Sequence, residues 1–257
     1  KPTNMTKRIL LAVLPFLIFS CGNTEKKSKQ VAQEPSELIR KSIPTNDFSL
    51  VLDDMTIKEE NNVIDHRHKY KVLELKGDSL HTTSKGWESV NKTFFQKHQN
   101  DLGMEIMSRH NGKASFTAQL VGFGWAIGNE KHGEWEETPK DSTKTNTSTT
   151  HRRWRTHSTS PFFWYWLGTR RSVYRNDYNS YRTYNGRGQS YYGRNTSSNS
   201  YAYGTRSNYQ KKTRPSFFSR RTQNSSRWNN LNKKSSRSSS RYSSGSSTRS
   251  RSGGTGK

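Results

Sequence analysis

Positive charge in this chain lies almost wholly beyond residue 140, and that asymmetry limits what each side can fold into. Residues 1–140 carry 20 Lys/Arg against 18 Asp/Glu, whereas residues 141–257 carry 24 against 2. The kind of cation changes too: arginine supplies 4 of the first 20 and 18 of the second 24. Only 28% of residues are hydrophobic, and the formal net charge is +24. Such a balance supports a modest core beside a sizeable solvated fraction. The chain therefore reads as two physically different segments joined near residue 140. Its single cysteine, Cys21, rules out an intrachain disulfide and a thiolate cluster.

That cysteine ends a patterned stretch. Met5 is read as the translation start, with residues 1–4 upstream of it. Lys7 and Arg8 precede an apolar run over residues 9–19. As a helix this run rises about 16 Å, well short of a hydrocarbon core of about 30 Å. Two cations before a short apolar stretch and a small residue fit a secretory signal. Pro15 would weaken a packed soluble helix but matters little in a cleaved one. The stretch Ile18-Phe19-Ser20-Cys21 resembles the lipobox of bacterial lipoproteins, with Phe19 standing where a smaller residue is usual. The resemblance covers residues 5–21. It implies cleavage before Cys21, diacylglycerol on its sulfur, and several acyl chains at a membrane, where one chain alone would hold only marginally. Gly22, rather than Asp, follows the cysteine; by analogy with enterobacterial sorting this implies the outer membrane of a Gram-negative envelope. The competing readings are an ordinary signal peptide, or a buried helix with an incidental cysteine.

Four segments follow from this: a signal peptide over 5–20, a lipidated cysteine and tether over 21–43, a small domain over 44–140, and a basic low-complexity arm over 179–257. An extension of the domain to about residue 178 stays open. The tether is polar and lacks sustained apolar periodicity. The domain is expected to be α+β, a small sheet packed on one helix. Residues 48–52 and 68–75 read as strands, the second with Tyr70 and Val72 alternating against Lys69 and Lys71. Trp87, Val90, Phe94 and Phe95 share one helical stripe over 84–99, with Ser84 as the cap and Gly103 beyond the end. Asn111-Gly112 between strand-like runs over 104–107 and 114–121 is a hairpin signal, because both turn residues must take positive φ. Gly122, Gly124, Gly128 and Gly133, among Phe123, Trp125 and Trp135, suggest further short strands.

Chemistry in this domain would rest on histidine. His66 and His68 alternate onto one strand face, a spacing some zinc sites use. His98, Asp101, Glu105, His110 and His132 are the further candidate ligands or acid–base partners. No HExxH, second spaced His pair or serine elbow accompanies them, and Arg67 and Lys69 oppose a cation. The expectation is therefore solvated strand-edge histidines, no metal, no cofactor, no catalytic residue and a non-enzymatic protein.

The second segment opens with a polar linker holding the basic knot Arg152-Arg153-Trp154-Arg155. Six bulky residues over 162–167 are costly to expose; they fold back on the domain as a further strand, or form an interfacial membrane patch. Folding back is the preferred expectation. A degenerate repeat then begins at Ser180, Ser190 and Ser200, each unit running Ser, Tyr, Tyr, Gly, Arg and ending at Arg187, Arg194 and Arg206. With almost no aliphatic residue it does not suit a packed solenoid. From about residue 233 the chain is Ser/Arg/Gly-rich and expected to be disordered. Tyrosine faces and guanidinium forks can stack on rings and pair with phosphate or carboxylate. Arg152, Arg153, Arg155, Arg187, Arg194 and Arg206 are thus the expected polyanion-binding residues. Lipopolysaccharide, acidic polysaccharide and extracellular DNA are the partners, with any nucleic-acid binding non-specific. A plain solvated tail is the alternative for the arm. For the whole chain the alternatives are an intracellular nucleic-acid-binding protein, though no RNP-like, zinc-finger or helix-turn-helix pattern supports it, and an envelope hydrolase using the histidines.

Overall fold

The computed structural model describes residues 26–137, 152–163, 165, 172–193 and 201–231. The signal peptide, Cys21, Arg194 and the Ser/Arg/Gly-rich end from 233 lie outside the described residues. The fold is α+β: a curled mixed sheet with helices packed on it.

Strand β1 (Lys27–Ser28) and helix α1 (Pro35–Ser42) come first. Three long strands follow as an antiparallel meander: β2 (Phe48–Glu60), β3 (Val63–Lys76) and β4 (Ser79–Val90). After helix α2 (Lys92–His98), the hairpin β5 (Glu105–His110) and β6 (Lys113–Ser115) pairs with β2. On its other side β3 meets parallel β1 at Val63 and Ile64, then antiparallel β4 from His66 onward. A separate two-stranded sheet joins β7 (Gly133–Glu137) to β8 (Arg152–Thr156). Helices α3 (Arg175–Gly186), α4 (Asn208–Thr213), α5 (Pro215–Gln223) and α6 (Ser225–Asn230) complete the described chain.

Turn chemistry sets the meander's register. Asn61 and Asn62 both take positive φ, 50° and 61°, which joins β2 to β3 in the primed geometry that matches strand twist. Asn111 and Gly112, at 49° and 73°, do the same between β5 and β6, as expected from the dipeptide. One irregularity matters for the core. The β2–β3 pairing shifts between Leu52 and Asp54, leaving Asp53 as a surplus residue. Phe48, Leu50 and Leu52 before it, and Met55 and Ile57 after it, all reach the same core. The bulge absorbs the odd spacing of three and curls the strand.

The structure departs from the expected segmentation in three places. The expected helix over 84–99 is split: Ser84, Trp87 and Val90 belong to β4, and only Phe94 and Phe95 lie on α2. Pairing along β3 overrides the helical spacing, and Asn91, not Ser84, stands at the N-cap position of α2. The tether segment holds β1 and α1, with Ile39 and Ile43 buried. Asn91 fastens it: its Nδ2 donates to Glu34 Oε1 at 2.8 Å, and its Oδ1 accepts from Val31 N–H at 3.0 Å.

The described part of the expected arm packs on the sheet. Tyr181, Tyr191 and Tyr203 of the repeat are buried in the main core with Phe217, Trp228 and Leu231. Phe123 touches both Tyr181 and Tyr203, with ring centres 5.0 and 5.7 Å away. The scarcity of aliphatic residues misleads here, because tyrosine rings supply the apolar area. Phe162 is buried against Trp125, at 4.1 Å, as folding back requires, although in a turn rather than a strand. Trp164, Trp166 and Leu167 lie outside the described residues.

Candidate functional site

Among the described residues, six arginines of the second segment face carboxylates of the first. Arg214 Nη1 donates to the Asp53 carbonyl and lies 2.9 Å from Asp53 Oδ1; Arg220 Nη2 lies 2.6 Å from Asp54 Oδ2; Arg227 Nε lies 3.0 Å from Glu59 Oε2. The α4–α5 junction, α5 and α6 are thus each tied to one strand, β2. Burial would raise the Asp53 carboxyl, but Arg214 and Lys71 outweigh it and hold the group below its ordinary range.

The basic knot is compensated in the same way. On the β7–β8 ladder Arg152 pairs with Glu137 at 3.2 Å and Arg155 with Glu136 at 2.6 Å, while Arg153 stands 3.9 Å from Glu136. These arginines face carboxylates across the ladder and remain about half exposed to solvent. Arg187 is exposed at the end of α3, where its N–H bonds to the Tyr184 carbonyl.

Arg206 has a different setting. It lines a cleft of about 470 Å³ with Lys211 and Arg221, and no Asp or Glu is among the described residues lining it. Burial, and behind it the charge of Arg206, pull the Arg221 guanidinium below its ordinary range. Two arginines close enough to repel are held together without a carboxylate between them. Each is braced by a ring: Arg221 sits 5.0 Å from the Trp228 ring centre and Arg206 5.6 Å from that of Tyr201. Arg206 also borders a smaller pocket of about 50 Å³ with Tyr192, Tyr201 and Tyr203. Sequence reasoning found Arg206 through the repeat but missed Lys211 and Arg221, which follow no motif. Only the packing of α4, α5 and α6 brings them together.

The histidines are buried, contrary to the solvated-edge expectation. His66 and His68 do share one face of β3, but β4 covers that strand and Phe95 lies against both imidazoles, at 5.2 and 5.1 Å. Burial lowers His66 to about 4 and His68 well below its ordinary value. His98 pairs with Asp101 at 2.8 Å, and His132 Nδ1 lies 3.2 Å from Ser160 Oγ. Among the described residues no three such side chains converge on a metal position.

One polar cluster has the outline of a nucleophile with its base. Ser49 Oγ is 2.9 Å from His110 Nε2, and His110 Nδ1 is 3.8 Å from Asp47. Yet Ser49 has 0% exposure and donates to Glu105 Oε2 at 2.5 Å. Glu105 also accepts from Gln119 at 2.6 Å and Trp125 at 3.2 Å, and Tyr181 donates to Gln119 at 2.5 Å. Burial raises the Glu105 carboxyl despite these donors. The serine hydroxyl is enclosed by its own partners, so the cluster orders the core around β5. Comparison with family models, with curated proteins and with solved structures finds no match to this chain.

Proposed function

We propose that this protein is a non-enzymatic cell-envelope lipoprotein, anchored through Cys21, that binds anionic polymers at the Arg206–Lys211–Arg221 cleft. The anchor rests on the lipobox-like stretch at 18–21 and on the position of the sole cysteine. The cleft reading is carried by one observation: two mutually repelling arginines and a lysine line it without a carboxylate. An oxyanion entering there would relieve the repulsion, and guanidinium forks suit phosphate and carboxylate. The neighbouring tyrosines offer flat faces to sugar or base rings. Lipopolysaccharide, acidic polysaccharide and extracellular DNA all carry such groups.

Two measurements test the two halves. Detergent-solubilised full-length protein should bind lipopolysaccharide, a polyuronate or double-stranded DNA in a salt-dependent manner. R206A/R221A should weaken at least one of these by about tenfold or more, while R152A/R155A should cost less. Equal affinity of R206A/R221A and the parent for all three polymers would remove the cleft. For the anchor, radiolabelled palmitate should enter the parent but not Cys21→Ala. A mature protein that keeps residues 5–20 and an unmodified sulfur in its mass spectrum would remove the lipid.

A further inference from the structure

A second cationic cavity lies where the start of the described chain meets its last helix. It has a volume of about 230 Å³, and Lys26, Ser28, His66, Lys92, Ser226 and Arg227 contribute to its lining. It is separate from the cleft above. On α6, Ser225, Trp228 and Asn229 line that cleft, whereas Ser226, Arg227 and Asn230 line this cavity. At helical spacing these are two different faces of the same turn and a half.

Three cations here face one carboxylate. Glu59 is shared by Lys26, at 2.6 Å, and Arg227, at 3.0 Å. Lys92 makes no ion pair with any described residue, although its charge acts on His66. The local balance is therefore positive by two. His66 also borders the cavity; its ring is 2% exposed, and its Nδ1, which has no hydrogen-bond partner, is itself closed off from water. Ser28 and Ser226 add hydroxyl donors. Three cations and two hydroxyls against the single Glu59 carboxylate favour a compact oxyanion, and a volume of about 230 Å³ suits one such group rather than a polymer.

We infer that this cavity binds a phosphate group, held by Lys92, His66 and the Ser28 and Ser226 hydroxyls, with Lys26 and Arg227 adding charge. The inference stands apart from polymer binding at Arg206. A phosphate group can reach it as a free solute or as the diester of a lipid headgroup, and two probes separate these sources. Full-length protein is titrated with inorganic phosphate and with glycerophosphoglycerol, a headgroup without acyl chains, by calorimetry and by NMR of the His66 imidazole. One-to-one saturable binding of at least one probe is expected, with a shift of the His66 ring signals. Binding of inorganic phosphate alone assigns the site to a free solute, and binding of glycerophosphoglycerol assigns it to a lipid headgroup. K92M and H66F should each weaken binding by about tenfold or more, and R206A/R221A should leave it unchanged. Lys92 is only half-buried, so K92M keeps the test open if H66F fails to fold. No saturable binding of either probe, or binding indifferent to K92M, overturns the site.

Discussion

Arg220 on α5 places its Nη2 between both carboxylate oxygens of Asp54 on β2, at 2.7 and 2.6 Å. The two residues are 166 positions apart, Asp54 in the nearly balanced first segment and Arg220 in the strongly basic second. With side chains 34% and 18% exposed, the pair is partly shielded from water and salt. Arg220→Ala and Asp54→Ala should each lower unfolding stability by about 1–2 kcal/mol, with a coupling of about 1 kcal/mol between them. Urea unfolding of the two single variants and the double variant checks this. Strictly additive losses would mean that the pair contributes nothing of its own.

Gly103 should resist any side chain. Its φ is +73°, and a β-carbon there would run into the Gln210 amide, which is itself held by Arg214 Nε at 2.7 Å. Its N–H also bonds to the Leu52 carbonyl at 2.7 Å. Gly103→Ala combines left-handed strain with displacement of a buried side chain, and should cost about 2–4 kcal/mol. A melting temperature within a degree or two of the parent's would contradict this contact between the α2–β5 turn and α4.

Acid should destabilise the fold before its carboxylates titrate. Burial lowers both His66 and His110 to about 4, although Asp47 opposes the shift at His110. The folded state therefore prefers these rings neutral, while the unfolded chain takes up protons near 6.5. Their contribution is complete above about pH 6.5 and is lost as pH falls toward about 4, each ring accounting for on the order of 3 kcal/mol. His68, lowered by burial, acts in the same direction. Urea unfolding at pH 7.5, 5.5 and 4.5 should show a progressive fall. Constant stability over that range would mean that the rings take up protons in the native state as readily as in the unfolded chain.

Ser49 should behave as a structural hydroxyl. A fluorophosphonate that labels activated serines should leave it unmodified in the folded protein, because the side chain is enclosed by Glu105 and His110. Ser49→Ala removes a partner from each and should cost about 1–3 kcal/mol. Labelling at Ser49, seen by peptide mass spectrometry, would reopen the nucleophilic reading.

What could be read from the sequence was what is settled locally. Tyr70 and Val72 alternate because β3 is a strand, and Asn111-Gly112 turns because both residues accept positive φ. Trp87, Val90, Phe94 and Phe95 satisfy the helical period equally well on paper. The ten residue pairs that β4 makes with β3 decide otherwise, and those nearest the end of β4, such as His66 with Val90, join residues too far apart for a periodicity window to compare. His66 and His68 were rightly placed on one face, but whether that face is wet depends on β4 and α2. The candidate cleft was legible only at Arg206. Nothing in the sequence distinguishes Arg214 and Arg227 from Arg206, because their carboxylates lie 161 and 168 residues away.

The surplus residue in β2 has a consequence for how that strand can change. The ladder on either side of Asp53 is already in step, with Leu52 opposite Tyr70 and Asp54 opposite Lys69. Deleting Asp53 would set Met55 two places after Leu52, the spacing of an ordinary strand, so Met55 and Ile57 would still reach the interior. What would go is the local bend and the carboxylate that meets Arg214. The insertion thus steers the course of the strand without deciding which side chains it buries.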